Sequence, residues 1–228
     1  MSKIAVAVFN RKGGVGKTTL AVILAQIALI RRNRVLAIDL DPSGNFSSAF
    51  SFLKATNFRD SFRVKTSLED TDADSPEDWI VIDCPPSLDD TTKHAIDFAD
   101  ITIIPVRPDY FSLSPVAMIN AMAEKHYNKS RSQLPLVKVG FDMSAMAKVA
   151  NQIINDGGYP VAEELALHKS IPYNISSGRI WSMGLTGRSR YPYEDLYRKI
   201  TKAIERLTEG EEDIHAVWAA DETEEGDD

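Results

Sequence analysis

Cysteine is nearly absent: Cys84 is the only one in 228 residues. A lone thiol cannot close an internal disulfide, so a reducing, cytoplasmic setting is expected. It also excludes an iron–sulfur cluster held by several thiolates of one chain. No apolar run reaches the roughly 18–20 residues that a spanning helix needs. The chain passes almost at once into an apolar strand, so no secretory signal peptide is expected. His94, His126, His168 and His215 are scattered without ligand spacing and read as structural or surface groups.

Lys and Arg are missing from residues 209–228, which hold ten acids. The formal charge of the whole chain is −7, and without those ten acids it becomes +3. Such a segment reads as an acidic, mostly disordered tail on a weakly basic body. The expected division is one domain over 1–208 and a tail over 209–228.

The whole chain is 43% hydrophobic and 26% charged, a composition that suits a full core. Apolar runs at 4–9, 35–38, 79–82, 101–106 and 136–141 read as strands, with a weak one at 62–64. Helical stretches are expected at 18–30, 89–99, 115–127, 144–156 and 193–207, and residues 54–78 as a surface connection. Strands apolar on both faces belong to a covered, parallel sheet. The alternation predicts an α/β, doubly wound, mostly parallel sheet flanked by helices, with its ligand beyond the strand carboxyl ends.

The first strand runs directly into Lys12-Gly13-Gly14-Val15-Gly16-Lys17-Thr18-Thr19. Glycines there let backbone N–H groups converge on anionic oxygens, and the following helix directs its positive end to the same point. Lys17 is placed to reach β- and γ-phosphates, and the Thr18 hydroxyl to face Mg²⁺. The usual phosphate loop has a glycine five positions before Gly16, where this chain has Arg11. A second lysine, Lys12, accompanies that departure.

The run from Lys12 to Thr19 resembles the deviant Walker A box of the ParA/MinD superfamily of ATPases. The resemblance continues through Asp39-Leu40-Asp41-Pro42, similar to that family's Asp-x-Asp-Pro motif. It continues again through Asp83-Cys84-Pro85-Pro86-Ser87, similar to its Walker B and switch II. The resemblance implies ATP and Mg²⁺ as cofactors and a P-loop NTPase fold. It gives Lys12 a role in trans across an ATP-sandwich homodimer, where a cation offsets the repulsion of two triphosphates. Asp41 would orient or deprotonate the attacking water, while Thr18, Asp39 and Asp83 would lie at Mg²⁺ or its waters. Residues 13–19, with Lys12 and Pro172, would bind the nucleotide. Ile171-Pro172-Tyr173-Asn174 resembles the loop bordering the adenine, whereas Phe141-Asp142-Met143 stands where the family often has an asparagine.

The absence of an N-terminal helix-turn-helix segment points to the short ParA-type partition or positioning ATPases. For these the resemblance implies non-specific DNA binding through C-terminal cations, here Arg179, Arg188, Arg190, Arg198, Lys199 and Lys202. It also implies a ParB-like or adaptor partner that stimulates weak hydrolysis, and a nucleoid-associated location. Two other readings remain: a MinD-like membrane-associated regulator, disfavoured by the acidic C-terminus, and a metabolic P-loop ATPase.

Overall fold

In the computed structural model the described residues are 3–51, 58, 60–69, 71, 76–166, 168, 170–176 and 187–219. Seven strands are ordered β3-β2-β4-β1-β5-β6-β7, every neighbouring pair parallel. They are β1 (Ile4–Val8), β2 (Val35–Asp39), β3 (Phe62–Lys65), β4 (Trp79–Asp83), β5 (Ile101–Val106), β6 (Leu136–Val139) and β7 (Val161–Leu165). The helices are α1 (Lys17–Ile30), α2 (Asn45–Ser51), α3 (Asp90–Phe98), α4 (Tyr110–Leu113), α5 (Val116–Tyr127), α6 (Ala145–Asp156), α7 (Ser170–Ser176), α8 (Gly187–Thr208) and α9 (His215–Ala219).

Side-chain alternation divides the strands between two cores. Val6 and Val8 of β1 join α1, α8 and α9 on one face, while Ala5, Ala7 and Phe9 join α3, α5 and α6 on the other. Both faces being covered explains why the central strands read as unbroken apolar runs. The helix α1 is buried from Leu20 to Leu29, since it packs against β4, α2, α7 and α8 together. The chain leaves β4 and returns on the other side of β1 as β5, so a topological switch lies at β1. Ligands of open α/β sheets bind beyond the carboxyl ends of strands at such a point. Parallel register puts Val8 beside Asp83 and Asp39 beside Asp83, bringing three motif-bearing strand ends to one edge.

The short helices α2, α4 and α7 were not expected, and two further departures bear on the packing. The edge strand β7 has no apolar run, because Glu163 and Glu164 occupy its centre and meet lysines from α8 and β6. The C-terminal segment is the second. Residues 209–219, expected within a disordered tail, fold onto the body: Ile214, Val217 and Trp218 are buried, and Trp218 Nε1 donates to Ser132 O at 2.7 Å. The acids of this stretch line its exposed side while its few apolar residues enter the core, so charge counting alone masked the helix. The body therefore extends to at least residue 219; the remainder of the tail lies outside the described residues.

Candidate functional site

The phosphate loop leaves β1 and enters α1 through two left-handed glycines, Gly14 at φ 75° and Gly16 at φ 104°. An L side chain is strained at either angle, so the loop's path depends on glycine at these two positions. At the helix entrance Lys17 is 7% exposed, and its Nζ donates to Lys12 O at 3.3 Å. Burial lowers the Lys17 pKa, and the nearby Asp83 and Asp41 carboxylates pull it back up.

Thr18 Oγ1 donates to Asp83 Oδ2 at 2.6 Å. Asp83 is fully buried; burial is the largest of the influences that push its pKa up to about 7, with Thr18 opposing and the Asp39 charge assisting. Its other oxygen, Oδ1, is buried with no hydrogen-bond partner among the described residues. An orphaned carboxylate oxygen beside a hydroxyl at a phosphate loop is a hard-oxygen donor set, and it fits Mg²⁺. Among the described residues no cluster of three or more His, Cys, Asp or Glu forms a cage for a metal.

The Asp39 and Asp41 carboxylates have different hydrogen-bond partners. Asp39 Oδ2 accepts from Ser47 N at 2.7 Å in the first turn of α2, and Oδ1 accepts from Asp41 N at 3.3 Å. Both Asp39 oxygens are therefore given to backbone amides, so this carboxylate shapes the loop after β2 and caps α2. Asp41, partly exposed, accepts from Ser43 N at 2.9 Å, and its charge helps to raise the Lys17 pKa. Cys84 is fully buried, and burial pushes its thiol pKa well up, in keeping with inert packing.

Asn10 carried no signal in the sequence beyond being a polar residue after an apolar run. It is fully buried: Nδ2 donates to Pro105 O and to Ser112 O, each at 2.9 Å, and Oδ1 accepts from Lys12 N at 2.9 Å. One amide thus ties the start of the phosphate loop to the end of β5 and to α4. The Lys12 side chain extends outward, its Nζ 5.6 Å from the centre of the Phe111 ring.

Beside the loop lies a cleft of about 200 Å³ lined by Gly14, Gly16, Thr19, Arg107, His168 and Pro172, among others. Pro172, expected near a nucleotide base, stands on its wall. Arg107 and His168 come from distant segments and were not expected there. Ser112 holds the Arg107 backbone in place, accepting from its N–H at 3.0 Å and donating to its carbonyl at 2.7 Å.

The expected DNA-contacting cations are not equivalent. Arg179 lies outside the described residues. Arg188 is exposed, and Lys202 is half-buried on the same helix. Arg190 pairs with Glu194 at 2.6 Å, and Arg198 with Asp195 at 2.9 Å. Lys199 turns inward, donating to Ala162 O at 3.1 Å and meeting Asp195 at 3.1 Å and Glu163 at 3.8 Å. Its side chain is 12% exposed, so Lys199 belongs to the joint between α8 and β7.

A family profile described as the CobQ/CobB/MinD/ParA nucleotide binding domain matches residues 6–210. The chromosome-partitioning ATPase Soj of Thermus thermophilus is 32% identical over 152 residues, covering 53% of this chain and 61% of that protein. Soj of Treponema pallidum is 26% identical over 217 residues, covering 77% and 85%. The chain spans about three-fifths of the length of the first curated relatives it matches. Among solved structures, a Borrelia burgdorferi putative plasmid partition protein bound to AMPPNP superposes with a TM-score of 0.69 at 21% identity, covering 89% of this chain and 99% of that one. Aquifex aeolicus MinD, in its complex with MinC, has the same TM-score at 14% identity, covering 88% and 96%. With a left-handed glycine loop, Lys17 and the Thr18–Asp83 pair at the switch point of a seven-stranded parallel sheet, the chain belongs to the CobQ/CobB/MinD/ParA nucleotide-binding family.

Proposed function

We propose that this chain is a ParA-type ATPase that closes into a homodimer around two ATP molecules, binds DNA without sequence preference and positions a plasmid, chromosome or other cargo. The observation that carries this reading is the division of labour within Lys12. Its carbonyl holds Lys17 inside its own loop, while its ammonium is directed outward at the exposed rim. An amine so placed suits a neighbour's phosphates better than its own. The naming of similar proteins as chromosome-partitioning ATPases and plasmid partition proteins supports the same choice.

In this reading residues 13–19 and Lys17 cradle the triphosphate, and Pro172 borders the base. Thr18 and Asp83 hold Mg²⁺, which neutralises phosphate charge when bound. Asp41 orients the attacking water. Asp39 acts at one remove, by fixing the loop that carries Asp41. Hydrolysis is weak, and a ParB-like or adaptor protein accelerates it and releases the dimer from DNA. DNA contact falls to Arg188, Lys202, Arg190 and Arg198, the last two exchanging a carboxylate for a phosphate. Arg179, outside the described residues, is proposed as a further DNA contact on the resemblance alone. A cytoplasmic, nucleoid-associated location follows from such binding.

Within the described residues, the segment 209–219 is used for packing against the body. Among the described residues no helix is long and apolar enough to cross a bilayer. Ile214, Val217 and Trp218, the apolar residues of the C-terminal segment, face the core rather than a lipid surface. The test is ATP turnover measured together with binding to an unrelated DNA duplex. Binding that requires ATP and fades steeply with salt is expected; ATP-independent binding, or turnover with no DNA binding at all, contradicts the reading.

A further inference from the structure

We infer that Phe111 is the positioning residue for Lys12: its ring face holds the lysine side chain outside its own phosphate loop, aimed toward a second copy of the chain. This rests on the dimer reading above and assigns the part of the protein that makes Lys12 act in trans.

Three observations converge on this pair. Lys12 Nζ lies 5.6 Å from the Phe111 ring centre, within the range over which a ring quadrupole attracts an ammonium. Phe111 is 69% exposed and packs edge-on against Tyr110, itself 68% exposed, with centroids 5.9 Å apart. A large, open aromatic pair has no role in the core, and it stands beside the lysine. Thirdly, the backbone that carries the ring is tied to the loop. Asn10 joins the Lys12 amide to Ser112 O, the residue after Phe111, and Asp109 caps α4 by accepting from Ser112 N at 3.0 Å.

The physical consequence follows from the length of lysine. A free side chain with four rotatable bonds loses much conformational entropy when fixed, and it can curl back to phosphates on its own loop. Contact with a rigid ring restricts it in advance to outward rotamers, so less is lost when two protomers meet. The main chain of Lys12 is meanwhile committed inward, its carbonyl on Lys17 Nζ. Phe111 therefore separates the two ends of one residue.

The test compares Phe111→Leu, which keeps apolar bulk and removes the π face, with Phe111→Tyr, which keeps the face. The full chain and both variants are studied by sedimentation with Mg²⁺ and a non-hydrolysable ATP analogue, with analogue binding measured in parallel. An exposed cation–π contact corresponds to about 2–5-fold in an equilibrium, and two occur per dimer, so Phe111→Leu is expected to weaken dimerisation by about 4–25-fold. Phe111→Tyr restores it, and analogue binding is the same in all three proteins. Wild-type-like dimerisation of Phe111→Leu, failure of Phe111→Tyr to restore it, or loss of nucleotide binding by Phe111→Leu each overturn the inference while leaving the dimer reading in place. A wild-type chain that stays single, or one that pairs equally well as Lys12→Ala, removes the dimer reading and this inference with it.

Discussion

Thr18 and Asp83 are 65 positions apart in sequence, yet the threonine hydroxyl donates to the aspartate carboxylate at 2.6 Å. Thr18 lies in the first turn of α1 and Asp83 ends β4, so the sheet's parallel register is what brings them together. The contact leaves Asp83 Oδ1 without a hydrogen-bond partner among the described residues. Asp83→Asn keeps an acceptor for Thr18 and removes the negative charge. Nucleotide affinity in that variant is expected to lose its dependence on Mg²⁺, a change of roughly 10-fold or more, as for a lost charge-assisted contact. Calorimetric titration with and without Mg²⁺ checks this, and an undiminished Mg²⁺ effect contradicts it.

Glu163 provides a pH-dependent contribution to stability. Burial, and then its hydrogen bond with Asp195, push its pKa up from 4.5 to about 7, against the pull of the Glu164 backbone amide and of Lys199. The folded chain thus holds this proton more tightly than the unfolded one. Stabilisation from the group is complete below its ordinary range and is lost as pH rises through about 7. Asp195 and Lys199 of α8 face it across the joint. Glu163→Gln is expected to flatten the decline of melting temperature between about pH 5 and 8. Parallel declines for wild type and variant would show that the group is not the source.

Cations on α8 are expected to separate by orientation. Arg188→Glu, at an exposed position, should weaken DNA binding and reduce its salt slope by about 1 or more. Lys199→Ala should act on stability instead, by about 1–3 kcal/mol, because it leaves Asp195 and Glu163 facing each other in a half-buried joint. Fluorescence anisotropy on duplex DNA and thermal melting, run on both variants, distinguish the two effects. A Lys199→Ala protein of normal stability with poor DNA binding would reverse the assignment.

The C-terminal anchor is open to a simple measurement. Trp218 is 2% exposed, and its indole N–H reaches Ser132 O, while Ile214 N donates to Ser132 Oγ at 3.2 Å. Trp218→Ala is expected to cost about 3–5 kcal/mol, read as a lowered denaturation midpoint. An unchanged midpoint would mean that residues 209–219 are dispensable to the body.

The legible parts of the molecule were those that write a local signal. The central strands are unbroken apolar runs because helices cover both faces, and the glycine loop is a short contiguous motif. Asp83 was legible because an apolar strand ended in a carboxylate. The edge strand β7 was not, since its central glutamates take their partners from β6 and α8. Asn10 was missed for a related reason: its three hydrogen-bond partners include Pro105 and Ser112, about a hundred positions away. Arg107 and His168 likewise meet at the cleft only through tertiary folding. Asp39, which the resemblance put at Mg²⁺ or its waters, stands beside Asp83 and acts on its pKa, but its hydrogen bonds to the amides of Asp41 and Ser47 were not legible, because they form only once the loop and α2 fold back on the strand end.

Sedimentation of wild type and Lys12→Ala with Mg²⁺ and a non-hydrolysable ATP analogue bears most directly on the sandwich dimer. Wild type is expected to sediment as a dimer only with the analogue, and Lys12→Ala to bind the analogue yet remain single. A wild-type chain that stays single at saturating analogue, or a Lys12→Ala chain that pairs as readily as wild type, would contradict the trans role of this lysine.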